Sequence, residues 1–338
     1  MTKISKNIEE AAKLLQKGEV VAIPTETVYG LGADATNDEA VAKIFLAKGR
    51  PSDNPLIVHI GSLKQLEPIV SDISSKAKQL MDAFWPGPLT VILPKGEGIS
   101  QRVSAGLDTI GVRMPNHPIA LKIIQQSGLP IAAPSANTSG RPSPTTANHV
   151  QEDLKGKIPL IIDGGNTGVG VESTVIDCST EPPMILRPGG VSQEEIEGII
   201  GKVMVDEALS DMANAPKSPG MKYAHYAPKA PLHIVEGSND FLQEQIKAAQ
   251  DEGLKVGVLG TVETQKLYDA DVVLACGSQK DILTVAYHLY ETLRKFDEHE
   301  LDLIFSESFS EKGLGQAVMN RLIKAAGHQI IKESDSYK

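Results

Sequence analysis

Residues 206–229 divide this chain. The stretch contains A-N-A-P-K-S-P-G and then M-K-Y-A-H-Y-A-P, with Pro216, Pro219, Gly220 and Pro228. Proline fixes φ and has no N–H, so neither helix nor sheet runs far through such a segment, and it reads as a linker. Beyond it the apolar pattern alternates regularly: strand 232–235, helix 239–252, strand 255–259, a short helix near 262–268, strand 271–275, helix 279–295, strand 301–305 and helix 314–326. That order implies a parallel sheet with right-handed crossovers. Before the linker, strands outnumber helices and their spacing is irregular. Strands are expected over 20–23, 56–60, 89–93, 109–113, 129–133, 160–163, 173–178 and 184–187. Helices are expected over 7–17, from the Asn37 cap to Lys48, and over 72–84 and 117–127. This predicts a mixed α/β domain over 1–205, a linker over 206–229 and a smaller Rossmann-like parallel α/β domain over 230–338.

The length of 338 residues suits two domains, and 41% apolar with 22% charged residues is ordinary for a globular protein. The net charge of −10 argues against a surface that grips nucleic acid throughout, but permits a basic pocket. Cys178 and Cys276 are far apart in sequence and form no C-x-x-C pair. They read as buried apolar filler in a reducing compartment rather than as a disulfide or a zinc site. The first residues carry acids and no long apolar core, and no stretch reaches the length of a membrane span, so a cytoplasmic protein is expected.

There is no P-loop, no H-E-x-x-H and no G-x-S-x-G. Gly168-Val169-Gly170 lacks the third glycine of a dinucleotide fingerprint and leads into a strand. What remains is a set of polar segments, each beside a strand. P-T-E-T-V-Y-G begins at Pro24, K-G-R-P-S-D-N-P-L-I-V-H runs from Lys48 to His59, and T-I-G-V-R-M-P starts at Thr109. A-P-S-A-N-T-S-G-R-P-S covers Ala133 to Ser143, D-G-G-N-T-G-V-G-V-E-S-T covers Asp163 to Thr174, and I-L-R-P-G-G ends at Gly190. Each has a structural alternative: a turn, a hairpin with a bulge, for Arg113 pairing with an Asp or Glu, or, for Lys48 and Arg50, a solvated helix end that favours the dipole. Lys312 to Leu322 reads as a plain helix start. Together, Lys48, Arg50, Arg113 and Arg187 beside hydroxyl and glycine loops suggest a nucleotide and a carboxylate held without a P-loop.

These motifs, in this order, resemble the YrdC-like domain of L-threonylcarbamoyladenylate synthases from about residue 8 to 200. The linker and following unit resemble the long, two-domain form. The resemblance implies a twisted mixed sheet enclosing a cavity, and a nucleotidyl transfer that joins L-threonine, bicarbonate and ATP, with Mg²⁺ on the triphosphate and no confident protein metal ligand. The product would pass to a threonylcarbamoyl-transferase complex acting on tRNA adenosine beside the anticodon. The family's catalytic Lys-x-Arg falls on Lys48 and Arg50. Its threonine contacts fall on Thr27, His59, Thr109, Arg113, Ala133 and Ser173, and its nucleotide contacts on Arg50, Asn54, Ser135, Asn137, Ser143 and Arg187. His225 and Tyr226 would serve a linker gate over 216–228. Ala224 departs from the larger polar residue common in relatives.

The residues support that chemistry on their own terms: transfer at phosphorus needs positioning and charge neutralisation more than a protein nucleophile. Arg113 would hold the amino-acid carboxylate, having no sequence-local acid as partner. Lys48 and Arg50, at a helix end opening into a loop, would be replaceable at little cost in stability. An alternative is an RNA-binding module with a basic cavity. Another is carbamoyl transfer from a carbamoyl-phosphate-derived adenylate, which usually needs acylphosphatase and zinc-finger segments not found here.

Overall fold

The computed structural model describes residues 1–206 and 225–337. These fall into two compact units, the first running from Met1 to Ser139 and resuming at Ser143, the second comprising Gly140–Pro142 and the chain from 225 onward.

The first unit begins with β1 (Lys3–Ser5), α1 (Ile8–Gln16), β2 (Val21–Ile23), β3 (Gly30–Asp34), α2 (Asp38–Lys48) and β4 (Ile57–His59). It continues with α3 (Ser75–Phe84), β5 (Leu89–Pro94), α4 (Gln101–Ser104), β6 (Thr109–Arg113), α5 (Pro118–Ser127) and β7 (Ile131–Ala132). It ends with α6 (Ala147–Leu154), β8 (Leu160–Ile162), β9 (Thr174–Asp177), β10 (Met184–Arg187), α7 (Gln193–Ile200) and β11 (Met204–Val205). Among the described residues the strands form an eleven-stranded sheet in the order β1-β8-β2-β3-β7-β4-β6-β5-β9-β10-β11. Pairings are mixed: β4 runs parallel to β6, while β5 and β6 are antiparallel.

The caps explain the helix boundaries. Asn7 accepts from Glu10 N to start α1, and Asn37 accepts from Glu39 N and Ala40 N to start α2. Gly49, at φ 62°, ends α2 and turns the chain into the loop before β4. The helix expected from residue 72 begins only at Ser75, because Ser74 caps it.

Several elements differ from the sequence expectation. β3 reads G-L-G-A-D, without apolar alternation, yet it is a strand between β2 and β7. A Cβ at Gly32 would lie 2.9 Å from the Ile131 side chain, so the small residues there serve close strand packing. α6 and α7 were not expected. Each is eight residues long and starts on a side-chain cap, Thr146 for one and a Ser192–Glu195 capping box for the other.

The second unit holds β12 (Leu232–Glu236), α8 (Asn239–Asp251), β13 (Val256–Gly260), β14 (Val272–Ala275), α9 (Ile282–Phe296), β15 (Leu303–Glu307), α10 (Leu314–Ala325) and β16 (Ile330–Lys332). The strands lie in the order β14-β13-β15-β12-β16, all parallel as expected. Val256 and Val258 pack in one cluster with Phe241, Leu242 and Ile246 of α8. Gly257, on the other pleat, faces α9, where a Cβ would meet Phe296 at 3.1 Å. The short helix expected near 262–268 is a set of turns instead. Thr264 N and Gln265 N both donate to Thr261 O and Leu267 N donates to Thr264 O, so the chain closes successive turns there.

Tyr226, expected to face a ligand, is buried within this second unit at φ 65°. It stacks on Tyr290 at 5.3 Å between ring centroids, with the Arg321 guanidinium 5.8 Å from its ring. Nearby, Arg141 pairs with Asp297 at 3.1 Å, and Arg294 donates to Pro142 O at 2.5 Å.

Gly189 marks where the first unit tolerates no side chain. A Cβ there would lie 2.3 Å from both Ser173 C and Thr174 N and 2.4 Å from Glu172 O, all backbone. Gly189→Ala is therefore expected to destabilise the fold by about 3 kcal/mol. Chemical denaturation monitored by circular dichroism would show it as a lower midpoint; an unchanged midpoint would mean that the β9–β10 approach is looser than described.

Candidate functional site

The segment Thr25–Leu31 connects β2 to β3 and collects the polar motifs around it. Tyr29 N donates to Pro144 O and Leu31 N to Pro134 O, while Ala136 N donates to Tyr29 O. Gly168 N and Val169 N both donate to Glu26 O. Two loops, the one between β7 and α6 and the one between β8 and β9, are thus hydrogen-bonded to one short stretch of backbone.

Arg113 lies beside it at the end of β6, in register with His59 of β4. Its Nη1 donates to Thr27 Oγ1 at 2.9 Å and its Nε to Gly87 O at 3.1 Å. Thr25 and Thr27 hydroxyls lie 2.9 Å apart. The sequence leaves Arg113 either paired with an Asp or Glu or holding a ligand carboxylate; the structure shows the acid. Glu26 Oε1 lies 2.5 Å from Arg113 Nη2, although Nη2 is not aligned for a hydrogen bond and has no such partner among the described residues. Burial pushes the Glu26 carboxyl up, but Arg113 and the Asn116 backbone beside it pull it below its ordinary value. His59 is buried, and its pKa falls to about 3, first through burial and then through Arg113, against an opposing pull from Glu26. His59 Nδ1 has no hydrogen-bond partner among the described residues. His117, half-buried near Glu26, is also lowered by burial.

A second group lies along β9 and β10. Arg187 Nη2 donates to Ser173 O at 2.8 Å and to Ser173 Oγ at 3.2 Å. Ser173 Oγ lies 2.8 Å from Thr90 Oγ1. Ser143, buried, donates to Glu172 Oε1 at 2.6 Å.

The third group corrects another expectation. Lys48 is not at an open loop mouth; it is 2% exposed. Its Nζ donates to Ser135 O and to Asn137 O at 2.6 Å, so it holds the Ser135–Asn137 loop from beneath. Ser135 Oγ donates to Asn137 Oδ1 at 2.6 Å. Arg50 is half-buried and reaches Asn54 O and Pro55 O, each at 3.4 Å, and Asn54 Oδ1 has no partner among the described residues. Ala133 N donates to Ile57 O, setting its backbone against β4.

Thr109 is not brought to the cluster. It starts β6 opposite Pro94, while Arg113 ends that strand, and four residues of strand span about 13 Å. Sequence reasoning missed Glu26, His117 and Glu172 as members of these groups. For Glu26 and Glu172 the signal was available: both stand inside motifs already singled out. Both cysteines are buried, and burial pushes each thiol up to about 12, as filler residues require.

Lys48→Ala would leave two loop carbonyls without their buried donor and should cost about 2 kcal/mol or more. Urea denaturation would measure it; a midpoint equal to wild type would return Lys48 to the loop mouth. His59 supplies a pH effect. Its folded pKa of about 3 lies below the ordinary 6.5, so between those values the unfolded chain binds the proton and the native state does not. Its contribution therefore makes stability fall as pH drops from 6.5 toward 3. Denaturation midpoints at pH 7 and 5 should differ less in His59→Gln than in wild type; an equal difference would remove His59 from the buried neutral state.

A family model described as telomere recombination, spanning Sua5, YciO and YrdC-type sequences, matches residues 13–189. A model described as the C-terminal domain of threonylcarbamoyl-AMP synthase matches residues 191–327. The chain is 57% identical over 326 residues to a threonylcarbamoyl-AMP synthase of Bacillus subtilis, covering 96% of this chain and 94% of the relative. It is 52% identical over 330 residues to one from Pyrococcus abyssi, covering 96% and 95%. The crystal structure of P. abyssi Sua5 complexed with L-threonine superposes with a TM-score of 0.92 at 50% identity, covering 98% of both chains. A variant of that protein with a histidine and the next residue, a tyrosine, changed to alanine gives 0.93 at 49% identity, again over 98% of both. The expected mixed first domain and parallel second domain are those of this fold. The chain belongs to the threonylcarbamoyl-AMP synthase family.

Proposed function

We infer that the chain joins L-threonine, bicarbonate and ATP into L-threonylcarbamoyl-AMP, releasing pyrophosphate and water. The observation that carries this reading is the cluster of polar groups at Thr25–Tyr29. There a buried arginine and a neutral histidine adjoin loops of hydroxyls and cations. Arg113, the buried cation at the end of β6, is the proposed contact for the threonine carboxylate, with Glu26 beside it. Thr27, His59, the Ala133 backbone and Ser173 complete the proposed threonine contacts, and Thr109 is left out because of its distance. With a pKa near 3, His59 is too weak a base to take the amine proton and serves to position the substrate.

Arg50, Asn54, Ser135, Asn137, Ser143 and Arg187 are the proposed nucleotide contacts. Lys48 acts by fixing the Ser135–Asn137 loop. In the reaction the threonine amine attacks bicarbonate carbon and water leaves. The carbamate oxygen then attacks the ATP α-phosphorus as pyrophosphate departs. Arg50 and Arg187 offset the phosphate charge. Mg²⁺ belongs to this proposal as part of the ATP substrate. No cluster of three metal-ligating side chains occurs among the described residues, so ATP oxygens and water would supply its ligands.

The product is a mixed anhydride, and the proposed consumer is a threonylcarbamoyl-transferase complex acting on tRNA adenosine. No helix among the described residues is long and apolar enough to cross a membrane; a cytoplasmic location is proposed on the two free cysteines. Residues 1–205 are proposed as the catalytic domain and 230–338 as an accessory one. The linker gate is kept as a proposal, though 207–224 lie outside the described residues. His225-Tyr226 is the one His-Tyr pair in the sequence, and a His-Tyr pair was chosen for substitution in the P. abyssi relative. The burial of Tyr226 and its stacking on Tyr290 suit it as the gate's fixed end.

The test is mass spectrometry of reactions containing ATP, bicarbonate and threonine, each omitted in turn, with Arg113→Ala run in parallel. Product should require all three. The variant, checked for folding because Glu26 loses its cation, should raise the threonine KM by about ten- to a hundredfold, the equivalent of one charge-assisted contact. Product without threonine would overturn the function, and an unchanged KM would overturn the role of Arg113.

A further inference from the structure

The parallel sheet of the second unit has a switch point that the reaction above does not use. β13 connects outward to its neighbour β14, whereas β15, on the other side of β13, connects through α10 back past β12 to β16. The chain therefore diverges at the C-terminal ends of β13 and β15. In open α/β sheets such a divergence is where ligands bind.

A cleft of about 410 Å³ opens at that end of the sheet. Its lining comes from the loop after β14, through Gln279, Lys280 and Ile282, and from the loop after β15, through Ser308, Phe309, Ser310 and Lys312. The volume falls within the range of small-molecule sites. The lining carries two lysines, two hydroxyls and an amide, but no carboxylate, although the whole chain has a net charge of −10. Nearby acids are committed elsewhere. Glu263 accepts from Ser278 Oγ and Gln279 N, and Asp281 caps α9 through Leu283 N. Glu311 is exposed on the same loop but does not line the cleft.

The floor beneath is a built polar network. Glu307, at the C-terminal end of β15, is 5% exposed. It accepts from Thr264 Oγ1, from Tyr268 OH at 2.7 Å and from Gln279 Nε2 at 3.3 Å. Gln279 is thus tied from below and lines the cleft above. The loop after β15 is held closely too, since a Cβ at Gly315 would lie 1.8 Å from Ser310 O.

We propose that this cleft is a second ligand site, for a small phosphate-bearing molecule with an apolar part, such as a nucleoside monophosphate. Lys280 and Lys312 meet the phosphate as movable point charges, and Ser308 and Ser310 offer donors. Ile282 and Phe309 form the apolar wall for the rest of the ligand. The assignment does not depend on the reaction of the first unit.

The test is hydrogen exchange on the full chain, read at residues 278–284 and 308–316, with AMP as probe and adenosine as control. This local readout separates the cleft from nucleotide bound in the first unit. Millimolar AMP should protect both segments and adenosine should not. Lys280→Ala with Lys312→Ala should weaken that protection about tenfold or more while threonylcarbamoyl-AMP formation stays at the wild-type rate. Absence of protection by AMP, equal protection by adenosine, or undiminished protection in the double variant would each overturn the site.

Discussion

The first unit depends on a short stretch of backbone. From Thr25 into the start of β3 at Leu31, the chain accepts hydrogen bonds from Gly168 and Val169, exchanges them with Pro134–Ala136 and donates one to Pro144. Buried peptide groups must be paired, so this stretch and the loops on it satisfy one another or fail together. Arg113 then joins β6 to the same stretch through Thr27. The polar loops need no regular structure of their own, because their conformation is set by the strand edge on which they hang.

Burial of charge follows the same logic. Arg113, Arg187 and Lys48 are each at most 3% exposed, and each is surrounded by oxygen acceptors. Such groups are tolerated inside a protein only with partners in place. Arg113 has Glu26, Arg187 has the Ser173 backbone, and Lys48 has two loop carbonyls. His59, between Arg113 and Glu26, takes the other solution and stays neutral. These pairings hold the strand ends and loops in place, Lys48 tying α2 to the Ser135–Asn137 loop.

The two sheets solve different problems. Mixed pairing in the first unit places strand ends and irregular loops side by side, where β4 and β6 run parallel while β5 and β6 are antiparallel. The second unit is parallel throughout, with α8 packed on one face and α9 on the other, so its polar residues gather at the C-terminal edge. Glu307 at the end of β15 is the result: Thr264 and Tyr268 from the loop after β13 and Gln279 from the loop after β14 satisfy its buried carboxylate.

Local signals in the sequence determined much of this protein. Asn7 and Asn37 started helices through their own side chains, Gly49 turned the chain at the end of α2, and the alternation after 230 specified a parallel sheet. The motif order alone pointed to the family. These features lie within a few residues of one another, where caps, turns and apolar period act directly. Tertiary structure decided what depends on distant partners. Arg113 meets Thr27 across 86 positions and Lys48 meets Asn137 across 89, and neither pairing has a local trace. β3 is a strand through its pairing with β2 and with the distant β7, and Gly32 fits there because a Cβ would lie 2.9 Å from Ile131. Thr109 and Arg113 share a strand, yet register and length put them at opposite ends, so only one reaches the site.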